Sequence, residues 1–140
     1  MKNFLMCKCS ERWQALAPLF LRVVVGAVFL AHGWLKIGDV AAFAGSLDSF
    51  GVPAAGTVAF LVAWLEVLGG AALILGLLTH ILSKLFAIEM VVALFLVHWG
   101  NGFYVMDNGY EFVLLLVAAT VSLMVTGPGK WALDDKILKS

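Results

Sequence analysis

The chain has 140 residues, 63% of them hydrophobic and 13% charged, with a formal net charge of zero and a mean hydropathy of +1.02. Soluble domains carry roughly 45–50% apolar and about 25% charged residues, so the solvent for most of this chain is a lipid bilayer. With no net charge and no long basic run, the chain lacks the electrostatic footprint that nucleic-acid binding needs, and that class is set aside.

An N-terminal arm, residues 1–15, holds Lys2, Lys8 and Arg12 together with Cys7 and Cys9. These two cysteines stand without a second cysteine or histidine pair at zinc-ligand spacing, so no metal is expected and they read as free thiols in a reducing compartment, with acylation or redox chemistry as the alternatives. The first apolar span covers residues 16–35, with Trp13 as an interfacial aromatic and Pro18 in the first turn, where its missing donor costs nothing. At 1.5 Å per residue it is about 30 Å long, one hydrocarbon thickness. Its length, the presence of Arg22 and the three spans that follow argue against a cleaved signal peptide. Beyond it, Val40, Phe43, Leu47 and Phe50 recur at helical spacing, which predicts a short helix lying on the membrane surface.

Gly51-Val52-Pro53 precedes a second span at residues 57–77, and a third covers residues 81–99. The hinge at Thr79-His80 is so short that these two are expected to form an antiparallel hairpin. A loop follows from Asn101 to Asn108, then a fourth span at residues 110–126 that stops at Gly127-Pro128-Gly129, leaving residues 127–140 as a tail. The expectation is an all-α membrane protein, a four-helix transmembrane bundle. Lys2, Lys8, Arg12, Lys84, Lys130, Lys136 and Lys139 flank one side and Lys36 alone the other, which puts both termini in the cytoplasm. Val25 to His32 and Val91 to His98 share Val, Ala, Phe, Leu and His at equivalent positions, a weak sign of two similar hairpins.

Ionisable side chains within a span cost about 2.5–3.5 kcal/mol each on insertion scales, so they face the bundle interior and pair. Here they are Arg22, His32, Glu66, Glu89, His98 and Glu111. Counted at 1.5 Å per residue, Arg22 lies about 9 Å, Glu89 about 12 Å and Glu66 about 16 Å from the cytoplasmic boundary, which predicts a buried ion pair among Arg22, Glu66 and Glu89. At the opposite face His32 and Lys36 end the first span, His98 and Trp99 end the third, and Tyr110 and Glu111 open the fourth. These groups form a candidate outward-facing mouth, in which imidazole and carboxylate can move protons. Glu89 and His98, nine positions apart, point to opposite sides of a straight helix and are not expected to share a pocket. Gly69, Gly70 and Gly76 follow Glu66 and read as close-packing positions.

The ordered motifs Arg22, Phe29-Leu30-Ala31-His32-Gly33, Lys36, Glu66, Gly69-Gly70, Gly76-Leu77-Leu78-Thr79, His98-Trp99, Asn101-Gly102-Phe103, Gly109-Tyr110-Glu111, Gly127-Pro128-Gly129 and Leu133-Asp134 resemble those of the DoxX family. The resemblance covers residues 17–134, with His80 standing where an arginine is expected. It implies a multi-pass protein of the bacterial cytoplasmic membrane, in a superfamily that includes a subunit of thiosulfate:quinone oxidoreductase. On that basis the chain is expected to be the membrane subunit of a redox complex, with a redox or sulfur-metabolism protein as partner and self-association as a further option. The residues then divide into His32, His98 and Glu111 as catalytic groups and Lys36, Glu66, Trp99 and Tyr110 as binding groups, with a quinone-like head group as the ligand. The chain shows no haem, flavin or iron–sulfur signature of its own, so the partner supplies the electrons. The alternative is a small-molecule carrier or a membrane assembly factor without redox chemistry, since buried charges mark either function.

Overall fold

Each long apolar run becomes a helix because lipid offers the backbone no partner, so a spanning segment must satisfy its own N–H and C=O groups. A computed structural model describes residues 14–137, and no strand occurs among them. Cys7, Cys9, Trp13 and the cations Lys2, Lys8, Arg12 and Lys139 lie outside the described residues, as does the side chain of Lys136. Three helices are long and apolar enough to cross a bilayer: α1 (Ala17–Gly38), α3 (Ala55–Leu75) and α4 (Thr79–Asn101). Between the first two lies the short α2 (Val40–Ser49), and α5 (Glu111–Thr126) is a shorter apolar helix. A single turn, α6 (Asp134–Ile137), closes the described chain.

Local signals set the boundaries. Pro18 sits in the first turn of α1, and Asp39 starts α2 by accepting from the Ala42 amide at 2.9 Å. Gly76, at φ +70°, ends α3 in the left-handed conformation that glycine adopts without strain. Leu65–Gly69 within α3 and Leu94–His98 within α4 are π-helical turns, each carrying one of the ionisable residues, and α4 closes in a 3-10 turn, Trp99–Asn101. Such π-helical turns are rare and concentrate at functional sites.

The burial pattern is inverted relative to a soluble bundle. Arg22, Glu66, Thr79, Ser83, Thr120 and Asp134 are buried, while Val24, Leu68, Ile88, Phe95, Leu115 and Val125 are exposed across all four spans. A continuous apolar exterior around polar interior groups suits lipid and would aggregate in water. The fold is that of a helical membrane protein. At its centre the Phe29 and Phe86 rings stack at 3.8 Å between centroids, surrounded by Val25, Leu73, Met90 and Leu116.

The expected hairpin of the second and third spans is only partly realised. The most extensive packing joins α1 to α3 and α4 to α5, while α3 and α4 stay in touch where Phe86 and Leu82 lie on Gly69. Glycines decide the α1–α3 crossing. A Cβ on Gly26 would stand 2.7 Å from the Gly70 carbonyl oxygen, and one on Gly33 would stand 2.6 Å from the Glu66 Cβ and 2.7 Å from the Val67 nitrogen. Because the obstacle at Gly33 includes backbone, Gly33→Ala is expected to force the helices apart and lower stability by about 1–3 kcal/mol, the cost of overpacking a tight core. Thermal unfolding in detergent checks this; an unchanged midpoint would show that the two helices do not meet there.

Candidate functional site

The close approach at Gly33 puts Glu66 directly beside α1, one turn below Lys36. The Lys36 ammonium donates to Glu66 Oε1 at 2.6 Å, with the lysine side chain 25% exposed and the glutamate 2%. From α4, Glu89 faces the same space as Glu66. These three groups lie at the wall of a cavity of about 450 Å³ whose lining is otherwise mostly apolar. His32 and His98 also line it, and Phe43 and Leu47 of α2 close one side. Volume and lining match the usual ligand pocket, an apolar chamber with a few convergent polar groups. A second depression, between Ala44 and Thr57, is open and lined by small side chains with only Asp48 charged.

Glu89 and His98 line this one cavity despite the expectation of opposite faces. The physical reason is the π-helical turn at Leu94–His98, which is wider than an α turn, so each residue advances the helix by a smaller angle and the imidazole swings back toward the carboxyl. The His98 Nδ1–H donates to the Asn108 carbonyl at 2.8 Å. Since a carbonyl can only accept, this bond fixes the tautomer and leaves Nε2 as an acceptor in the neutral ring. His32 is exposed and tilts against Phe112 at 6.4 Å between ring centroids.

The predicted pairing of Arg22 with Glu66 and Glu89 does not form. The Arg22 guanidinium donates instead to four carbonyls, Leu73 at 3.3 Å, Ile74 at 2.7 Å, and Lys130 and Trp131 at 3.1 Å each. The cause is register: Arg22 is level with the last turn of α3, and Glu66 lies eight residues earlier than Ile74, about 12 Å along the axis. That last turn offers carbonyls without intrahelical donors and the negative end of the helix dipole, which a cation satisfies. Gly76 leaves the space, for a side chain there would meet Arg22 Nη1. The tail that Arg22 holds is tied a second time by Asp134, whose carboxylate accepts from the Leu78 and Thr79 amides at 2.7 and 3.0 Å and caps α4. Arg22 thus belongs to a structural clasp at one end of the bundle, remote from the cavity.

The remaining site candidates also separate. Trp99 stacks on Tyr110 at 5.1 Å, and Tyr110 meets Phe103 edge-on at 5.6 Å. Glu111 accepts from the Val105 amide at 2.9 Å. None of Trp99, Tyr110 and Glu111 lines the cavity; they shape the loop that roofs it, while Asn108 from that loop does reach it. Sequence reasoning missed Phe43 and Leu47 as cavity walls. Their helical spacing was visible, but it specifies only an apolar face and not what that face covers. Among the described residues no group of three or more His, Cys, Asp and Glu side chains could hold a metal ion.

The model of the DoxX family matches residues 17–99, from the start of α1 to the π-helical turn that carries His98. The chain belongs to the DoxX family. This DoxX protein is 35% identical to an uncharacterized protein of Haemophilus influenzae over 92% of its own length and 96% of the relative's. It is 32% identical to CatD of Bacillus subtilis, a protein with a provisional oxidoreductase name, over 89% of each chain. It is 30% identical to the inner membrane protein YqjF of Escherichia coli over 92% of this chain and 98% of that one. No solved structure matches it.

Proposed function

We propose that this DoxX protein is the membrane subunit of a bacterial redox system, and that it binds a quinone-like head group in the cavity between α1, α3, α4 and α5. One observation carries the reading: a largely apolar chamber of about 450 Å³ whose polar groups, Lys36, Glu66, Glu89, His32 and His98, converge on one space. Apolar walls suit the ring and tail of a lipid-soluble carrier, and the polar groups can hold its oxygens and move its protons. Electrons would come from a partner protein, as the chain has no redox cofactor motif. The oxidoreductase name of the relative CatD supports this direction, and the name of YqjF supports an inner-membrane location. With Lys36 on the sparsely charged side, the cavity opens away from the cytoplasm.

A direct test fills the chamber. Leu47→Trp places an indole against the cavity wall without touching a charged group, and is expected to weaken binding of a short-chain benzoquinone at least tenfold while the protein stays folded. Quenching of the intrinsic tryptophan fluorescence, corrected for the added residue, measures the affinity. Wild-type affinity in Leu47→Trp would remove the ligand from this cavity, and absence of any quinone binding by wild type would favour the carrier reading, which proteoliposome uptake dependent on Glu66 would support.

A further inference from the structure

Two acids and one base meet at the cavity wall. Glu66 is 2% exposed and gives one oxygen to Lys36. Two further oxygens, Glu66 Oε2 and Glu89 Oε2, are buried with no hydrogen-bond donor, and the two acids line the same cavity. Two ionised carboxylates cannot hydrogen-bond one another; a single proton between them supplies the donor that both oxygens lack. Charge count agrees. Of the groups lining the cavity, α1 contributes Lys36 and His32, α3 Glu66, α4 Glu89 and His98, while α2 and α5 add only apolar side chains such as Phe43 and Phe112. With both acids ionised the Lys36, Glu66 and Glu89 group carries one uncompensated negative charge inside a bilayer; with one proton it is neutral.

From this geometry we infer that Glu66 and Glu89 share one proton, and that they exchange it with the molecule occupying the cavity, so that the pair is the acid–base group of the site. In the exchange a carboxyl O–H bond breaks and an O–H bond forms on the ligand oxygen, and no electron moves in that step. Lys36, partly exposed, then faces two carboxylates, and the proton returns from water. The exchange rests on the ligand reading proposed above; the shared proton does not.

Infrared difference spectroscopy on the purified protein in lipid nanodiscs separates the two claims. At neutral pH the wild type is expected to show one buried carboxylic-acid C=O band that shifts in heavy water. Glu89→Gln and Glu66→Gln are each expected to abolish it, because the remaining carboxylate pairs one-to-one with Lys36, whereas Asp48→Asn on the exposed face of α2 keeps it. Lys36→Met is expected to raise the band about twofold, with both acids protonated. A wild type without the band, or a band that survives both Gln variants, overturns the shared proton whatever the variants do to folding. Adding a short-chain benzoquinone is expected to shift the band. If the quinone binds and the band stays fixed, the exchange is wrong although the ligand reading stands; if no quinone binds, the ligand reading has failed and the shared proton is judged by the band alone.

Discussion

Arg22→Met is expected to cost this protein about 3–5 kcal/mol of stability, because four carbonyls lose the guanidinium at once, that of Leu73 keeping the Gly76 amide, and a buried unsatisfied acceptor costs about 1–3 kcal/mol. Two of those carbonyls end α3 and two belong to the tail at Lys130 and Trp131, so the lesion releases the tail as well as the helix end. Asp134→Asn is expected to cost about 1–2 kcal/mol, the range for loss of a helix cap. Since Arg22 and Asp134 hold the same tail, the double variant should lose less than the sum of the two. Thermal unfolding in detergent, followed by tryptophan fluorescence, measures all three. Quinone affinity of the folded fraction is expected to be unchanged in Arg22→Met, since Arg22 lies outside the cavity lining. A stable Arg22→Met variant with lost binding would reinstate an Arg22 to Glu66 link and overturn the clasp.

The case of Arg22 shows where sequence reasoning reaches its limit. Hydropathy locates spans because lipid makes helix formation compulsory, and the ends of α1, α3, α4 and α5 lie within three residues of those read from the apolar runs. Charge inside a span signals a polar interior, and His32, Lys36, Glu66, Glu89 and His98 do gather at one cavity. Which partner each charge meets depends on the stagger between helices, and depth counted from each span's own cytoplasmic end assumes none. The glycine contacts at Gly26 and Gly33 set that stagger, placing Glu66 beside Gly33 and Arg22 beside the end of α3. The π-helical turn at Leu94–His98 is similarly silent in sequence, because a helical wheel assumes 100° per residue throughout. Loop chemistry misled in a different way. Glu111 and Tyr110 carry reactive groups at a suggestive place, yet a loop must satisfy its own backbone, and Glu111 is committed to the Val105 amide.

Lys36 ties the ion pair to the side wall of the cavity that α2 supplies. Its ammonium bonds Glu66 at 2.6 Å and stands 4.8 Å above the Phe43 ring of α2. Lys36→Met keeps the stem and removes the charge, so Glu66 must take a proton or remain an unpaired anion, and α2 loses its cation–π anchor. For a fully buried pair the cost of losing one partner is about 3–5 kcal/mol; partial exposure of Lys36 reduces it here to about 2–3 kcal/mol. Quinone affinity is expected to fall about 30- to 1000-fold, the effect of removing one member of a hydrogen-bonded charge pair in a desolvated site. The double variant Lys36→Met, Glu66→Met separates structure from function. Replacing both partners by apolar groups of similar size is near neutral for folding, so thermal stability should recover to within about 1 kcal/mol. On the proposed reading binding should not recover, because Lys36 and Glu66 are the groups assigned there to the ligand oxygens. Recovery of both would make the pair a register device only, and would move the ligand site away from Lys36.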